Sequence, residues 1–269
     1  MAVILNNGGK FSDKIVFNGE YIEKHIPISL KSAVTEKEIY IMNLLSSGKN
    51  FPLITKLLYV DNLSMDSHTI LYISPNAEMD LFDACINNYT IDIDNLKLCI
   101  ILALKYVHLH NIIHLDVKPE NILIKNNKFI LCDFGLSQNV SGDIDIHHII
   151  SRGTPGYIHP NYIKTGLVSK KLGITYDLFS LLITIITCVE TNENINDWQN
   201  FCSKHHTGRI NDLLASKMTI VLTSWIIRSK VIPSWISNLV KSGDYLALEY
   251  RHFIKKIKYS AKRQKIIKT

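Results

Sequence analysis

Two rhythms of apolar and polar residues divide the chain. Near its start the rhythm is that of strands. Lys14 to Phe17 and Tyr21 to Ile26 flank Asn18-Gly19, a two-residue hairpin signal. On the second of these segments Ile22 and Lys24 share one face by alternation. A helix is predicted over Val34 to Leu45, ended by Ser46-Ser47-Gly48, and further strands over Ile54 to Val60 and Thr69 to Ile73. After Pro75 the spacing changes. Leu96, Cys99, Ile100, Ala103, Tyr106, Val107 and His110 recur every three or four residues, which predicts an amphipathic helix. Asp92 and Asp94 suit the positive end of its dipole. Short strands Ile122 to Ile124 and Phe129 to Cys132 pair around Lys125-Asn126-Asn127, and from about Tyr176 the chain reads mainly as helix. A strand-rich part followed by a helix-rich part predicts two lobes of an α+β fold.

With 269 residues, 46% hydrophobic and 20% charged, the chain suits a folded globular protein rather than a disordered one. The opening MAVILNNGG lacks the charged segment of a signal peptide. The longest apolar run, Leu178 to Val189, contains Ser180, Thr184 and Thr187, is too short to span a bilayer and reads as a buried helix, so no membrane partner is expected. Five cysteines with no CxxC pattern suit a reducing compartment, so an intracellular protein, cytoplasmic or nuclear, is expected. The net charge of +6 is uneven: the last fifteen residues hold seven Lys and Arg, and setting these aside leaves about −1. That basic tail, 255–269, is either a solvated terminus or a docking site for an acidic partner or nucleic acid.

The chemistry concentrates in His114-Leu115-Asp116-Val117-Lys118-Pro119-Glu120-Asn121 and, after the hairpin, Asp133-Phe134-Gly135. Phosphoryl transfer needs oxygen ligands on a divalent cation and one carboxylate beside the attacking hydroxyl. A loop with Asp116 and, five residues on, Asn121 supplies both, and the hairpin returns the chain to Asp133. Taken singly, each has a plainer explanation: Asp116 as a turn former, Asn121 as a turn end, Asp133-Phe134-Gly135 as a strand exit.

In order, the motifs resemble the protein kinase superfamily: HxDxKPEN, DFG, then Gly153-Thr154-Pro155-Gly156-Tyr157 as GTxxY, then Tyr176-Asp177-Leu178-Phe179 as the helix whose Asp anchors the catalytic loop. The resemblance implies a bilobal kinase fold with an N-lobe over 1–73, a joining segment over 74–79, a C-lobe over 80–254 and the tail beyond. It implies ATP with Mg2+ (Mn2+ as the alternative), and transfer of the γ-phosphate to Ser or Thr hydroxyls of a protein substrate. Asp116 would then orient the hydroxyl, Lys118 stabilise the moving phosphate, Asn121 and Asp133 hold metal, and His114 pack near Phe134. Lys118 and Thr154 favour the Ser/Thr class over the tyrosine class.

For the nucleotide, the resemblance implies Lys24 on the α- and β-phosphates, with Lys14 and Lys10 as alternatives, paired with Glu38, with Glu36 next. A capping box Thr35-x-x-Glu38 competes for the same glutamate. Gly8 and Gly9 stand where the family has a GxGxxG loop, which here is reduced to two adjacent glycines. Ile22 and Leu123 would join the nucleotide site, with Ile73 as gatekeeper, Ser74 as carbonyl acceptor, Asn76 as N–H donor and Asp80 toward the ribose. Two departures bear on regulation. Leu115 replaces the arginine that in many kinases pairs with a phosphorylated activation loop, so phosphorylation there is not expected to be required. His159-Pro160-Asn161 replaces Ala-Pro-Glu, removing an anion from a buried pair. A pseudokinase scaffold stays open on the reduced glycine loop, as does a small-molecule kinase of the aminoglycoside type. Retention of Lys24, Asp116, Asn121 and Asp133 argues against the first, and Lys118 with GTxxY against the second. Compactness and Ile/Asn/Lys-rich usage resemble kinases of large DNA viruses, which would place the protein in a host cell or virion.

Overall fold

The computed structural model describes residues 3–7, 14–17, 21–27, 33–47, 51–61, 68–75, 77–141, 147–148, 153–154, 157–159, 162 and 165–189. The chain divides into two compact units, Met1–Asn139 and Val140–Thr269. The expected junction at 73/74 and joining segment 74–79 thus fall inside the first unit.

The first unit opens with five strands: β1 (Val3–Asn7), β2 (Lys14–Phe17), β3 (Ile22–Pro27), β4 (Lys56–Asp61) and β5 (His68–Ser74). They form one antiparallel sheet in the order β1-β2-β3-β5-β4. Along β3 burial alternates residue by residue, so Ile22, Lys24 and Ile26 turn inward. The register corrects the hairpin expectation: Phe17 faces Ile22, which leaves four residues between the strands instead of two. Ile54 also departs from its predicted strand. It bridges to Leu131 in parallel, while Thr55 N–H donates to Leu131 O and Leu131 N–H to Leu53 O. These bonds tie the early sheet to a later hairpin and help make 3–139 one unit.

Helix α1 (Ala33–Ser46) crosses between β3 and β4 and buries Ile41, Met42 and Leu45. After β5 come β6 (Met79–Asp80), α2 (Leu81–Ile86) and α3 (Ile93–Leu109). Asp92 caps α3 by accepting from Asp94 and Asn95 N–H at 3.1 and 3.0 Å, a contribution of about 1 kcal/mol. The apolar stripe then buries Leu96, Ile100, Ala103, Leu104 and Val107 completely. Strand β7 (Ile112–Ile113) leads to a 3₁₀ turn (Pro119–Asn121), β8 (Ile122–Lys125) and β9 (Lys128–Leu131). Asn126 and Asn127 both adopt left-handed φ, 48° and 57°, so the two-residue turn closes with the twist that suits a tight hairpin. Strand β10 (Gln138–Asn139) pairs with β7 and ends the unit.

In the second unit β11 (His147–His148) pairs with β12 (Leu167–Val168), and α4 (Lys170–Val189) follows. Ser180 Oγ donates to Tyr157 O at 2.7 Å, and the His159 ring lies against Tyr176 and Phe179. Asp177 is wholly buried on α4. Gly8, Gly9, Asn76, Asn161 and the tail 255–269 lie outside the described residues. Among the described residues no helix is long and apolar enough to cross a membrane.

Candidate active site

Two clusters of charged side chains meet along the backbone around β9. In the first, Lys24 Nζ donates to both carboxylate oxygens of Glu38, at 2.8 and 3.0 Å, and to Asp133 Oδ1 at 3.0 Å. Strand β3 supplies the lysine and α1 the glutamate. Thr35 lies within α1, which begins at Ala33, so the capping box does not form and Glu38 is the ion-pair partner. The bond to Asp133 was not legible from spacing, because the partners lie 109 residues apart.

One ammonium thus serves two carboxylates. Burial lowers the proton affinity of Lys24, but Asp133 and Glu38 outweigh it and hold the lysine cationic, well above its ordinary range. Burial raises Asp133, yet Lys24, Lys118 and the Gly135 N–H bring its carboxyl down to about 2. Burial raises Glu38, opposed by Lys24 and reinforced by Asp133. Of the two carboxylates Glu38 is the more enclosed, its side chain 3% exposed against 44% for Asp133. Gly135 makes this proximity possible. A Cβ there would sit 3.2 Å from Asp133 Oδ1 and 3.4 Å from Glu38 Oε2.

The second cluster is the loop between β7 and β8. Asn121 Nδ2 donates to Asp116 O at 2.8 Å and to Asp116 Oδ2 at 2.9 Å. Lys118 Nζ lies 3.4 Å from the same Oδ2. Burial lowers Lys118, but Asp116, Glu120 and Asp133 more than compensate, so it stays a cation. His114 stitches the clusters together. Its Nδ1 accepts from Asp116 N–H at 3.3 Å, so the ring proton is on Nε2 and donates to Cys132 O at 3.0 Å. Its ring meets Phe134 edge-on at 5.1 Å, as the family resemblance implies. Cys132 N–H also donates to Asn121 O at 3.0 Å. Asp116, Asn121 and Asp133 are thereby held by a common backbone frame.

Strain marks the same places. Leu115 and Asp133 take left-handed φ of 65° and 62°, each at a cost of about 1–3 kcal/mol. Leu115 is buried, so apolar packing offsets its share.

The donor set fits a small hard cation. Both partners of Asn121 Nδ2 are acceptors, which fixes the amide's orientation and makes its oxygen the atom a cation would use. Asp133 adds an ionised, half-exposed carboxylate. Among the described residues no group of three or more His, Cys, Asp or Glu could hold a metal by itself. Two protein oxygens with phosphate and water completing the shell is the arrangement Mg2+ favours over an all-protein cage.

Four other predicted positions lie among the described residues. Ile22 and Leu123 are buried on β3 and β8, and Ser74 ends β5 half-buried. Asp80 faces Leu123 across the β6–β8 ladder and caps α2, accepting from Asp83 N–H at 2.7 Å. One of its oxygens is thus committed to structure. Burial, with Asp83 and Glu120 adding to it, pushes its carboxyl up to about 6.

A family model described as the protein kinase domain matches residues 9–257. The chain is 32% identical over 203 residues to 3-phosphoinositide-dependent protein kinase B of Dictyostelium discoideum, covering 70% of this chain and 21% of that protein. It is 28% identical over 173 residues to serine/threonine-protein kinase dkf-2 of Caenorhabditis briggsae, covering 56% and 14%. It is 34% identical over 131 residues to human MAP kinase-activated protein kinase 5, covering 41% and 25%. The chain therefore spans a quarter or less of the length of each of these relatives.

Proposed function

The chain belongs to the protein kinase family and has its bilobal α+β fold, and from that premise we propose that it transfers the γ-phosphate of ATP to Ser or Thr hydroxyls of proteins with Mg2+ bound. One observation carries the reading. Lys24 bridges Glu38 and Asp133, and the same frame holds Asp116, Lys118 and Asn121. Lys24, with Glu38 behind it, presents a fixed cation to the α- and β-phosphates. Asn121 and Asp133 would hold the cation. When bound, Mg2+ neutralises phosphate charge that builds as the bond to the γ-phosphate breaks. Asp116 is held at one oxygen by Asn121 and Lys118, so its carboxylate is aimed rather than free to rotate. It would align the substrate hydroxyl and accept its proton. Lys118 would follow charge onto the transferring group.

Regulation by activation-loop phosphorylation is not required in this account. Leu115, at the position that would need a guanidinium, is buried in the core. Ser137 is wholly buried, and its hydroxyl donates to His114 O at 3.2 Å, so it is closed to modification. Ser141 is exposed. Ser151 lies outside the described residues.

The test is label transfer from γ-labelled ATP with Mg2+ to peptides bearing one Ser, Thr or Tyr. Label should appear on Ser and Thr and fall by about 10²-fold or more in Asp116→Asn. Equal transfer by that variant would refute the role given to Asp116, and no transfer by the unaltered chain would leave only a kinase-fold scaffold. Loss of activity in Ser141→Ala or Ser151→Ala would refute the regulatory part.

A further inference from the structure

The charged cluster depends on where α1 stands, because Glu38 rides on it. Apart from that ion pair, the far end of the helix is gripped by a set of contacts that the phosphoryl-transfer reading does not use. The last four carbonyls of α1, Asn43 to Ser46, have no donor within the helix. Ser47 N–H donates to Asn43 O at 3.0 Å and Ser47 Oγ to Leu44 O at 2.7 Å. The third carbonyl, Leu45 O, accepts from Tyr106 Oη at 2.8 Å, across 61 residues of chain. No basic side chain occupies that turn.

Tyr106 is itself fixed on both sides. Phe51 stacks on its ring at 4.4 Å with only 3° between the planes. His110 lies against it at 4.4 Å, with Nδ1 2.8 Å from Tyr106 O. Partial burial raises the phenol above its ordinary value, so it remains a donor over the working pH range. Just beyond Phe51, Leu53 and Thr55 bond to Leu131, two residues before Asp133. Residues 51–55 are thus held between Tyr106 on α3 and Leu131, the last residue of β9. Glu38 and Leu45 are seven residues apart on one helix, about 10 Å of rise.

We propose that Tyr106 is a positioning residue: by holding Leu45 O and the Phe51 ring it sets α1 in the placement where Glu38 reaches Lys24, so that the site stands assembled without a phosphorylated loop. The catalytic part of this rests on the proposed kinase activity. The placement itself does not.

Two variants test it. Tyr106→Phe removes the hydroxyl and keeps the stack. In the chain without nucleotide, amide exchange at residues 38–42 of α1 should quicken about fivefold, the equivalent of roughly 1 kcal/mol for one neutral hydrogen bond, while the middle of α3 is unchanged. Tyr106→Ala removes the stack as well and should lower kcat for phosphotransfer about tenfold or more with little change in KM for the peptide. In a Glu38→Gln background the same Tyr106→Ala change should cost little further. Unaltered α1 exchange in Tyr106→Phe, or equal losses of kcat in both backgrounds, would overturn the proposal. If the unaltered chain transfers no phosphate, the kinase reading fails while the exchange of α1 still decides the placement role.

Discussion

Replacing Lys24 with Met tests the charge balance of the site in a way that can be worked from distances. The lysine is the cation bonded to Glu38 at 2.8 and 3.0 Å, and it also holds Asp133 at 3.0 Å. Methionine fills comparable volume, so the change is mainly electrostatic. Asp133 is 44% exposed and can be solvated in place. Glu38, 3% exposed, cannot. Leaving it charged costs on the order of 3–5 kcal/mol. Neutralising it at pH 7, from an ordinary value of 4.5, costs at most about 3.4 kcal/mol at 1.36 kcal/mol per pH unit. The protein takes the cheaper course, and Glu38 binds a proton. Burial raises Glu38 even with the lysine present, so part of this cost already exists in the unaltered chain. A difference of about 2 kcal/mol at pH 7 is therefore expected. The sign with pH follows from proton counting. In the variant the folded Glu38 carboxyl is raised above its unfolded value, so the folded state holds more protons and stability falls as pH rises above 4.5. Urea unfolding at several pH values should show the deficit growing between pH 5 and 7, while the share from Asp133, whose carboxyl Lys24 helps bring down to about 2, closes only as pH falls from 3.8 toward 2. Adding Glu38→Gln to Lys24→Met should flatten the slope. A deficit independent of pH, or none, would refute the reasoning.

Gly135→Ala places a Cβ 3.2 Å from Asp133 Oδ1 and 3.4 Å from Glu38 Oε2; steady-state kinetics should show a several-fold loss of kcat, with the unfolding midpoint little changed. Asp80→Asn keeps a good helix cap and removes a carboxyl held up to about 6. The unaltered chain loses stability as pH rises from 3.8 to about 6, so the variant should melt higher at pH 7–8 and alike at pH 3.5. Ser137→Ala deletes the bond to His114 O and should cost about 1 kcal/mol of stability by denaturant titration, without making activity depend on any phosphate.

How far the chain declared itself differs by region. The loop with Asp116 and Asn121 was legible because its geometry is local: a 3₁₀ turn started by Pro119 brings the asparagine amide back five residues onto Asp116. The Asn126-Asn127 turn was legible for the same reason, since asparagine tolerates left-handed φ. Ion pairing of Lys24 with Glu38 was implied by the kinase resemblance, with alternation on β3 choosing the lysine, but the third member, Asp133, depends on the tertiary fold. Asp80 was expected toward the ribose, and its role in capping α2 shows only once the helix start is known. Tyr106 and His110 look like two more members of the stripe on α3. Nothing local marks them as the anchor of a helix 61 residues earlier. Ile54 fits a strand by hydropathy, yet the bonds of Leu53 and Thr55 to Leu131 take it out of the sheet.

The central claim is that Lys24, Asn121 and Asp133 serve one nucleotide together with a divalent cation. Calorimetric titration of ATP into the chain, with and without Mg2+, addresses it without relying on any substrate. The account predicts binding that strengthens when Mg2+ is present, with the Mg2+-dependent gain lost in Asp133→Asn and reduced in Asn121→Ala. Binding that ignores Mg2+ and survives both substitutions, or no binding of ATP at all, would contradict it.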